Sequence, residues 1–175
     1  MIEIRIHGRG GQGAVTASEL LAVAAFRDGK YAQAFGKFGP ERRGAPIQSF
    51  ARISGEPIRI RQEVYEPDYV IVLDSSLMKV VDVKQGLKKG GTVIVNTSED
   101  IPGMWCVDAT RIALDVIGRP IVNTAMLGAF NKASECVVTL DSLAEAIKER
   151  FPGKIGDLNA KAIVKASEGC ACCEV

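Results

Sequence analysis

The sequence predicts an α/β fold, a Rossmann-like open, mostly parallel sheet with helices on both faces and a hairpin extension. Three observations carry that expectation. Strand patterns alternate with helical ones along the chain, and a glycine-rich turn separates the first strand from the first helix. Tyr69-Val70-Ile71-Val72-Leu73 is a continuous apolar, β-branched run of the kind found in parallel strands covered on both sides.

The elements follow in order. Ile2, Ile4 and Ile6 alternate with Glu3, Arg5 and His7, which is a period-2 strand. The glycines of residues 8–13 end it. Residues 14–28 are rich in alanine and leucine, contain no proline or glycine, and stop at Gly29, so they predict a largely buried helix. A short strand is expected over residues 31–35, then a loop over 36–46. Residues 47–53 alternate, turn at Ser54-Gly55-Glu56-Pro57 and resume over 58–61, which predicts a hairpin. Buried strands follow at 69–73 and 92–95, with a helix over 77–87 between them. A short strand at 105–107 precedes helices at 110–117, 124–133, 142–150 and 157–167, with Ser142 and Asp157 as expected caps.

The chain has 175 residues, 47% hydrophobic and 25% charged, with 22 Lys and Arg against 21 Asp and Glu, for a net charge of +1. That is enough apolar surface for one core, expected as a single domain over residues 1–168. A balance this neutral gives no support to nucleic-acid binding. The longest apolar runs fall far short of the roughly 18 residues of a membrane span. The opening Met1-Ile2-Glu3-Ile4 lacks the basic start of a secretory signal, so a cytoplasmic location is expected. Cys106 and Cys136 stand alone as small hydrophobes. Cys170, Cys172 and Cys173 crowd residues 169–175, a tail expected to fray; three thiols without a histidine do not make a zinc or iron–sulfur set, and no metal site is expected.

Gly8-Arg9-Gly10-Gly11-Gln12-Gly13 satisfies G-x-G-x-x-G in the strand, turn and helix context that the motif requires. Its amides and the positive end of the following helix dipole attract an anion, whereas the plainer reading is a tight turn packing helix on strand. A dinucleotide site usually has an acid at the end of the second strand for the ribose hydroxyls. Here that strand ends in Gly36-Lys37, and Asp28 lies before it. Arg9 adds a cation able to pair with a phosphate. Groups expected at other strand ends are Asp74-Ser75-Ser76, Asn96-Thr97-Ser98 and Asn123-Thr124, with capping the expected role of Ser75, Ser76 and Ser98. His7 is the only histidine, and no nucleophile is paired with it, so no catalytic residue is assigned. Glu41, Arg42 and Arg43 sit in a stiff loop that is either solvated surface or a contact to ligand or partner.

Residues 4–15, the segment Phe38-Gly39-Pro40-Glu41-Arg42-Arg43-Gly44-Ala45-Pro46 and the stretch Asn123-Thr124-Ala125-Met126-Leu127-Gly128-Ala129 together resemble the gamma subunits of 2-oxoacid:ferredoxin oxidoreductases, in particular the pyruvate-using branch. The likeness spans about residues 1–165. It implies a subunit of an assembly that decarboxylates a 2-oxoacid oxidatively, passes electrons to ferredoxin and forms an acyl-coenzyme A. By that resemblance, thiamine diphosphate, magnesium and the [4Fe-4S] clusters belong to partner subunits of alpha, beta and delta type. This chain would bind coenzyme A, with Gly8, Arg9, Gly10, Gly11, Gln12, Gly13, Ala14 and Thr16 facing the phosphates and Asn123 beside them. Glu41, Arg42 and Arg43 match the family's second loop and would meet ligand or neighbouring subunit. Two rival readings stand beside it: a self-contained NAD(P)- or flavin-dependent oxidoreductase, and an interaction module with a purely structural glycine turn.

Overall fold

Alternation of Ile2, Ile4 and Ile6 with polar residues builds β1 (Ile2–Arg9), and the glycine turn leads into α1 (Ala14–Arg27) in the computed structural model, which describes residues 1–37 and 43–173. Then come β2 (Tyr31–Gly36), β3 (Pro46–Ser54), β4 (Tyr69–Val72), a 3₁₀ turn (Ser75–Lys79), β5 (Thr92–Asn96) and β6 (Trp105–Val107). Helices α2 (Ala109–Ile117), α3 (Val122–Ala133), α4 (Leu140–Arg150) and α5 (Lys154–Gly169) precede a short β7 (Ala171–Cys172). One seven-stranded sheet has the order β2-β3-β1-β4-β5-β6-β7. Strands β1, β4, β5 and β6 are mutually parallel, while β3 and β7 run against their neighbours. This is the expected open, mostly parallel sheet.

The unbroken apolar runs of β4 and β5 are explained by burial on both sides. Ile4, Ile6, Ile71 and Ile94 point into a core that contains residues from all five α-helices. Val70, Val72, Val93, Val95 and Cys106 point the other way, under Met78, Val83, Leu87, Ile101 and Met104. The α-helices therefore occupy one face rather than the two expected, and the other is covered by the 3₁₀ turn and irregular segments. The helix expected over 77–87 is replaced by turns: nearly buried Arg5 donates to the Val83 carbonyl, the acceptor a helix would offer the Leu87 amide, and that amide closes on the Lys84 carbonyl at 2.9 Å instead.

The antiparallel extension is formed by β2 with β3, Phe35 facing Phe50, and residues 58–61 form no strand. Fully buried Arg52 explains the difference. Its guanidinium donates to Glu3 Oε1 at 2.9 Å, Gln33 Oε1 at 3.2 Å and the Gln62 carbonyl at 2.7 Å, and lies 5.2 Å from the Phe35 ring centre. It thus tethers the chain after β3 as a loop. The described part of the tail expected to fray, up to Cys173, is paired instead. Cys170 is buried, Cys106 faces Ala171, and the Cys173 amide donates to the Met104 carbonyl at 2.9 Å, which covers the otherwise open edge of β6. Thr139 rather than Ser142 caps α4, and α5 starts earlier than expected, after Gly153. No helix among the described residues is long and apolar enough to cross a membrane.

His7 lies on the face away from the helices, 2% exposed, with Arg5 Nε donating to its Nε2 at 3.1 Å. Burial, then the Arg5 charge, push its pKa from 6.5 down to about 4 against the weaker pull of Asp82. The unfolded imidazole takes up its proton near 6.5 and the folded one only near 4, so its contribution to stability is complete above 6.5 and falls as pH drops through that interval. A denaturant titration is expected to lose up to about 3 kcal/mol of stability from this group between neutral pH and pH 4, and His7→Gln to remove that part of the slope; an unchanged slope would contradict a buried neutral His7.

Candidate functional site

Between β1 and β4 the connections part. The chain leaving β1 passes through α1 to β2 and β3 on one side, while β4, β5 and β6 extend the sheet on the other. Loops departing in opposite directions open a crevice beyond the carboxyl ends of the strands. Here it is a cleft of about 1260 Å³, bounded by Gly11, Gln12, Gly13 and Thr16 on one wall, by Asp74, Ser76 and residues 96–99 on another, and by Asn123, Ile121 and Phe151 on a third.

The glycine turn is held by backbone bonds, two of them to residues 44 and 45, and by the Gln12 side chain. The Gly10 amide donates to the Ala45 carbonyl at 2.9 Å, and the Gly44 amide donates to the Gly10 carbonyl at 3.0 Å. The Gln12 amide closes the turn on the Arg9 carbonyl at 2.9 Å, while Gln12 Oε1 accepts from the Arg9 amide at 2.7 Å. Gly13 has φ +76° at the N-cap of α1, a left-handed conformation that a side chain resists.

Asp74, at the end of β4, is the anchor. Its Oδ2 accepts from Arg9 Nε at 2.9 Å and from Gln12 Nε2 at 3.3 Å, and its Oδ1 accepts from the Ser76 amide at 2.9 Å and hydroxyl at 2.6 Å. Burial would raise its pKa, but the bonds from Ser76, then Arg9 and Gln12, outweigh it and hold the carboxyl below its ordinary value. Arg9 completes the brace by donating to the Gly44 carbonyl at 3.1 Å and to Ser76 Oγ at 2.8 Å. The guanidinium expected to meet a phosphate is thus engaged with protein on all three nitrogens.

Backbone donors also lie at the cleft. No side chain caps α1, so the amides of its first turn, Ala14, Val15 and Thr16, have no side-chain acceptor. Helix α3 starts at the same cleft and is likewise uncapped by any side chain. Two positive dipole ends therefore converge where Arg9 has already neutralised Asp74. Asn123, 5% exposed, stands between them and donates from Nδ2 to the Gly13 carbonyl at 3.3 Å. On the far wall Asn96 donates to the Leu73 carbonyl at 2.9 Å and to Thr110 Oγ1 at 2.9 Å, and Asp108 caps α2.

Of the residues expected at the site, Gly11, Gln12, Gly13, Thr16 and Asn123 line the cleft. Gly8 lies in β1, packed against Ala14 and Leu73, and the Ala14 side chain is buried behind the turn, leaving only its amide relevant. Thr124 is turned into the core, donating to Asn159 Oδ1 at 2.6 Å. Ser76 is a donor to the capping Asp74 rather than the cap, and Thr97, not Ser98, accepts from the Glu99 amide at 3.0 Å. Arg43 bridges to Gly10, which sets the second loop beside the first; Glu41 and Arg42 lie outside the described residues. Asp74 was visible in sequence only as a polar strand end. Its role as anchor depends on a contact 65 residues away in the chain.

Comparison with known proteins gives a consistent set of relatives. The family model described as pyruvate ferredoxin/flavodoxin oxidoreductase matches residues 3–169. The chain is 59% identical over 172 residues to the pyruvate synthase subunit PorC of Methanothermobacter thermautotrophicus, covering 96% of this chain and 95% of that protein. The crystal structure of pyruvate oxidoreductase subunit PORC from Thermotoga maritima superposes with a TM-score of 0.87 at 38% identity, over 99% of this chain and 98% of the other. A 2-oxoglutarate:ferredoxin oxidoreductase from Magnetococcus marinus, solved with 2-oxoglutarate, coenzyme A and succinyl-CoA bound, shares the fold at TM-score 0.77 and 19% identity, over 95% of this chain and 30% of that one.

The turn makes a direct demand on residue 13. A Cβ there would stand 2.5 Å from Asn123 Nδ2 on a backbone at φ +76°, whereas one on Gly11, at φ +94°, would meet nothing within 4 Å. Gly13→Ala is expected to lower stability by about 2 kcal/mol or more and Gly11→Ala by about 1 kcal/mol, the left-handed strain alone. Thermal unfolding of the two variants checks the order, and equal losses would contradict the close approach of Asn123.

Proposed function

The chain belongs to the pyruvate ferredoxin/flavodoxin oxidoreductase family and is a subunit of a 2-oxoacid:ferredoxin oxidoreductase, and from that premise we propose that its cleft holds coenzyme A by the diphosphate. The supporting observation is the bare first turn of α1. Three amides in sequence, at the positive end of a 14-residue helix and without a capping side chain, suit an anion with several acceptor oxygens. Hydrogen bonds from such donors to a charged group contribute about 1.5–3 kcal/mol each, enough for a few of them to carry micromolar binding. With Arg9 committed to Asp74, fixed backbone supplies donors that need no rearrangement when the ligand arrives, and Lys79 lines the same cleft. The bridge between Gly10 and Arg43 sets a further basic residue beside the glycine turn.

In this reading the chain contributes position and no catalytic residue. Gly11, Gln12, Gly13 and Thr16 hold the phosphate end while the thiol arm extends toward a partner subunit, so that an encounter between molecules becomes a held geometry. Thiamine diphosphate, magnesium and [4Fe-4S] clusters reside in partners of alpha, beta and delta type, where the 2-oxoacid loses carbon dioxide, ferredoxin takes the electrons and the acyl group passes to the thiol. A self-contained nicotinamide or flavin enzyme is disfavoured by the placement of Asp28, which precedes β2 rather than ending it. Its carboxylate accepts from the Thr139 amide and hydroxyl, both at 2.8 Å, and from Ser142, which occupies it at the start of α4.

Thr16→Glu separates binding from folding. A carboxylate in the first turn of α1 favours the helix dipole, so stability is expected to be unchanged or slightly higher, while its charge occupies the place of the diphosphate. Titration of the assembled enzyme with coenzyme A is expected to show affinity at least about tenfold weaker, about 1.4 kcal/mol. Unchanged affinity would reject the α1 start as the binding point.

A further inference from the structure

We propose that Asn123 is a positioning residue whose side-chain oxygen accepts a hydrogen bond from a hydroxyl or amide N–H of the bound ligand, next to the anion at the start of α1. The inference rests on the reading of the cleft as a diphosphate-ester site. Asn123 is at the second position of α3, 5% exposed, on the cleft wall. Its Nδ2 donates to the Gly13 carbonyl at 3.3 Å, a long bond to an oxygen that already accepts from the Ala17 amide at 2.9 Å. The fold therefore gains little from this contact. Turning the carboxamide over would set Oδ1 against the same carbonyl, acceptor to acceptor, so Gly13 fixes which end points where.

Oδ1 is buried and, among the described residues, has no hydrogen-bond partner. A buried acceptor left unmet is costly, and an apolar side chain of the same shape would avoid the cost. A phosphate offers only acceptor oxygens, so Oδ1 is unsuited to the anion and suited to a donor beside it. The ligand class this selects is a phosphate or diphosphate ester with a hydroxyl or amide a few bonds from phosphorus. The pantoyl arm of coenzyme A carries both, and inorganic diphosphate carries neither. The expectation that Asn123 faces the phosphates thus gives way to a more specific role: it reads what is attached to them.

The test uses the assembled oxidoreductase as wild type, Asn123→Leu and Asn123→Ala, titrated calorimetrically with coenzyme A and with inorganic diphosphate, with thermal midpoints recorded alongside. Loss of the acceptor is expected to weaken coenzyme A about tenfold in both variants, to leave inorganic diphosphate affinity unchanged, and to leave the midpoint the same or higher in the leucine variant. Unchanged coenzyme A affinity, or an equal loss for both probes, overturns the proposed acceptor role while leaving the cleft reading intact. A wild-type complex that binds neither probe overturns the cleft reading itself, and this inference with it.

Discussion

The ion pair of Arg9 with Asp74, 2.9 Å between Nε and Oδ2, is the constraint on which the rest of the site depends. Both side chains keep about a quarter to a third of their surface exposed, so Coulomb attraction alone is a small contribution. What matters is where the pair sits. It fastens the loop leaving β1 to the loop leaving β4, at the point where the sheet's connections diverge, and Gln12 and Ser76 complete the brace. Removing either partner would leave the other charge part-buried among groups that no longer match it. The brace holds the glycine turn at the start of α1, whose first-turn amides no side chain caps.

The second requirement is that α3 start at the same cleft, and this is a matter of packing. Residues 122–131 are all buried, with α3 set between the sheet and α5. A side chain on Gly128 would collide with the Ile163 carbonyl, so glycine there lets the two helices approach closely. Thr124 and Ser167 add polar links across the α3–α5 contact, to Asn159 and Asn131 respectively. Fixing α3 in this way fixes Asn123 against Gly13, and with it the spacing between the two helix starts. A core device therefore sets the geometry of a surface cleft.

The sequence was legible where structure follows from local pattern. Alternation in residues 2–7, the glycines of 8–13 and the alanine-rich stretch after them fix β1, the turn and α1, because each depends on periodicity or on a conformation only glycine tolerates cheaply. Pairing was less legible. Residues 58–61 alternate as well as a strand does, but Arg52 holds the carbonyls of Gln62 and Glu63 just beyond them, and β2 takes the place beside β3. Residues 77–87 look helical until Arg5 reaches across from β1 to bind them. The cysteine tail carries no strand signal of its own and pairs because β6 offers an open edge. At the site, five cleft-lining residues were named from sequence, yet the employment of Arg9 by Asp74 was not foreseen. A guanidinium's partner is set by a long-range contact that spacing does not encode.

The central claim is that the amides opening α1 receive the ligand's diphosphate. The most direct measurement is a structure of the complete oxidoreductase, all subunits present, with coenzyme A bound. Diphosphate oxygens are expected within hydrogen-bonding distance, about 2.7–3.2 Å, of the Ala14, Val15 or Thr16 nitrogens, with Arg9 still paired to Asp74. A diphosphate seated on another subunit, with the mouth between β1 and β4 filled by protein, would contradict it.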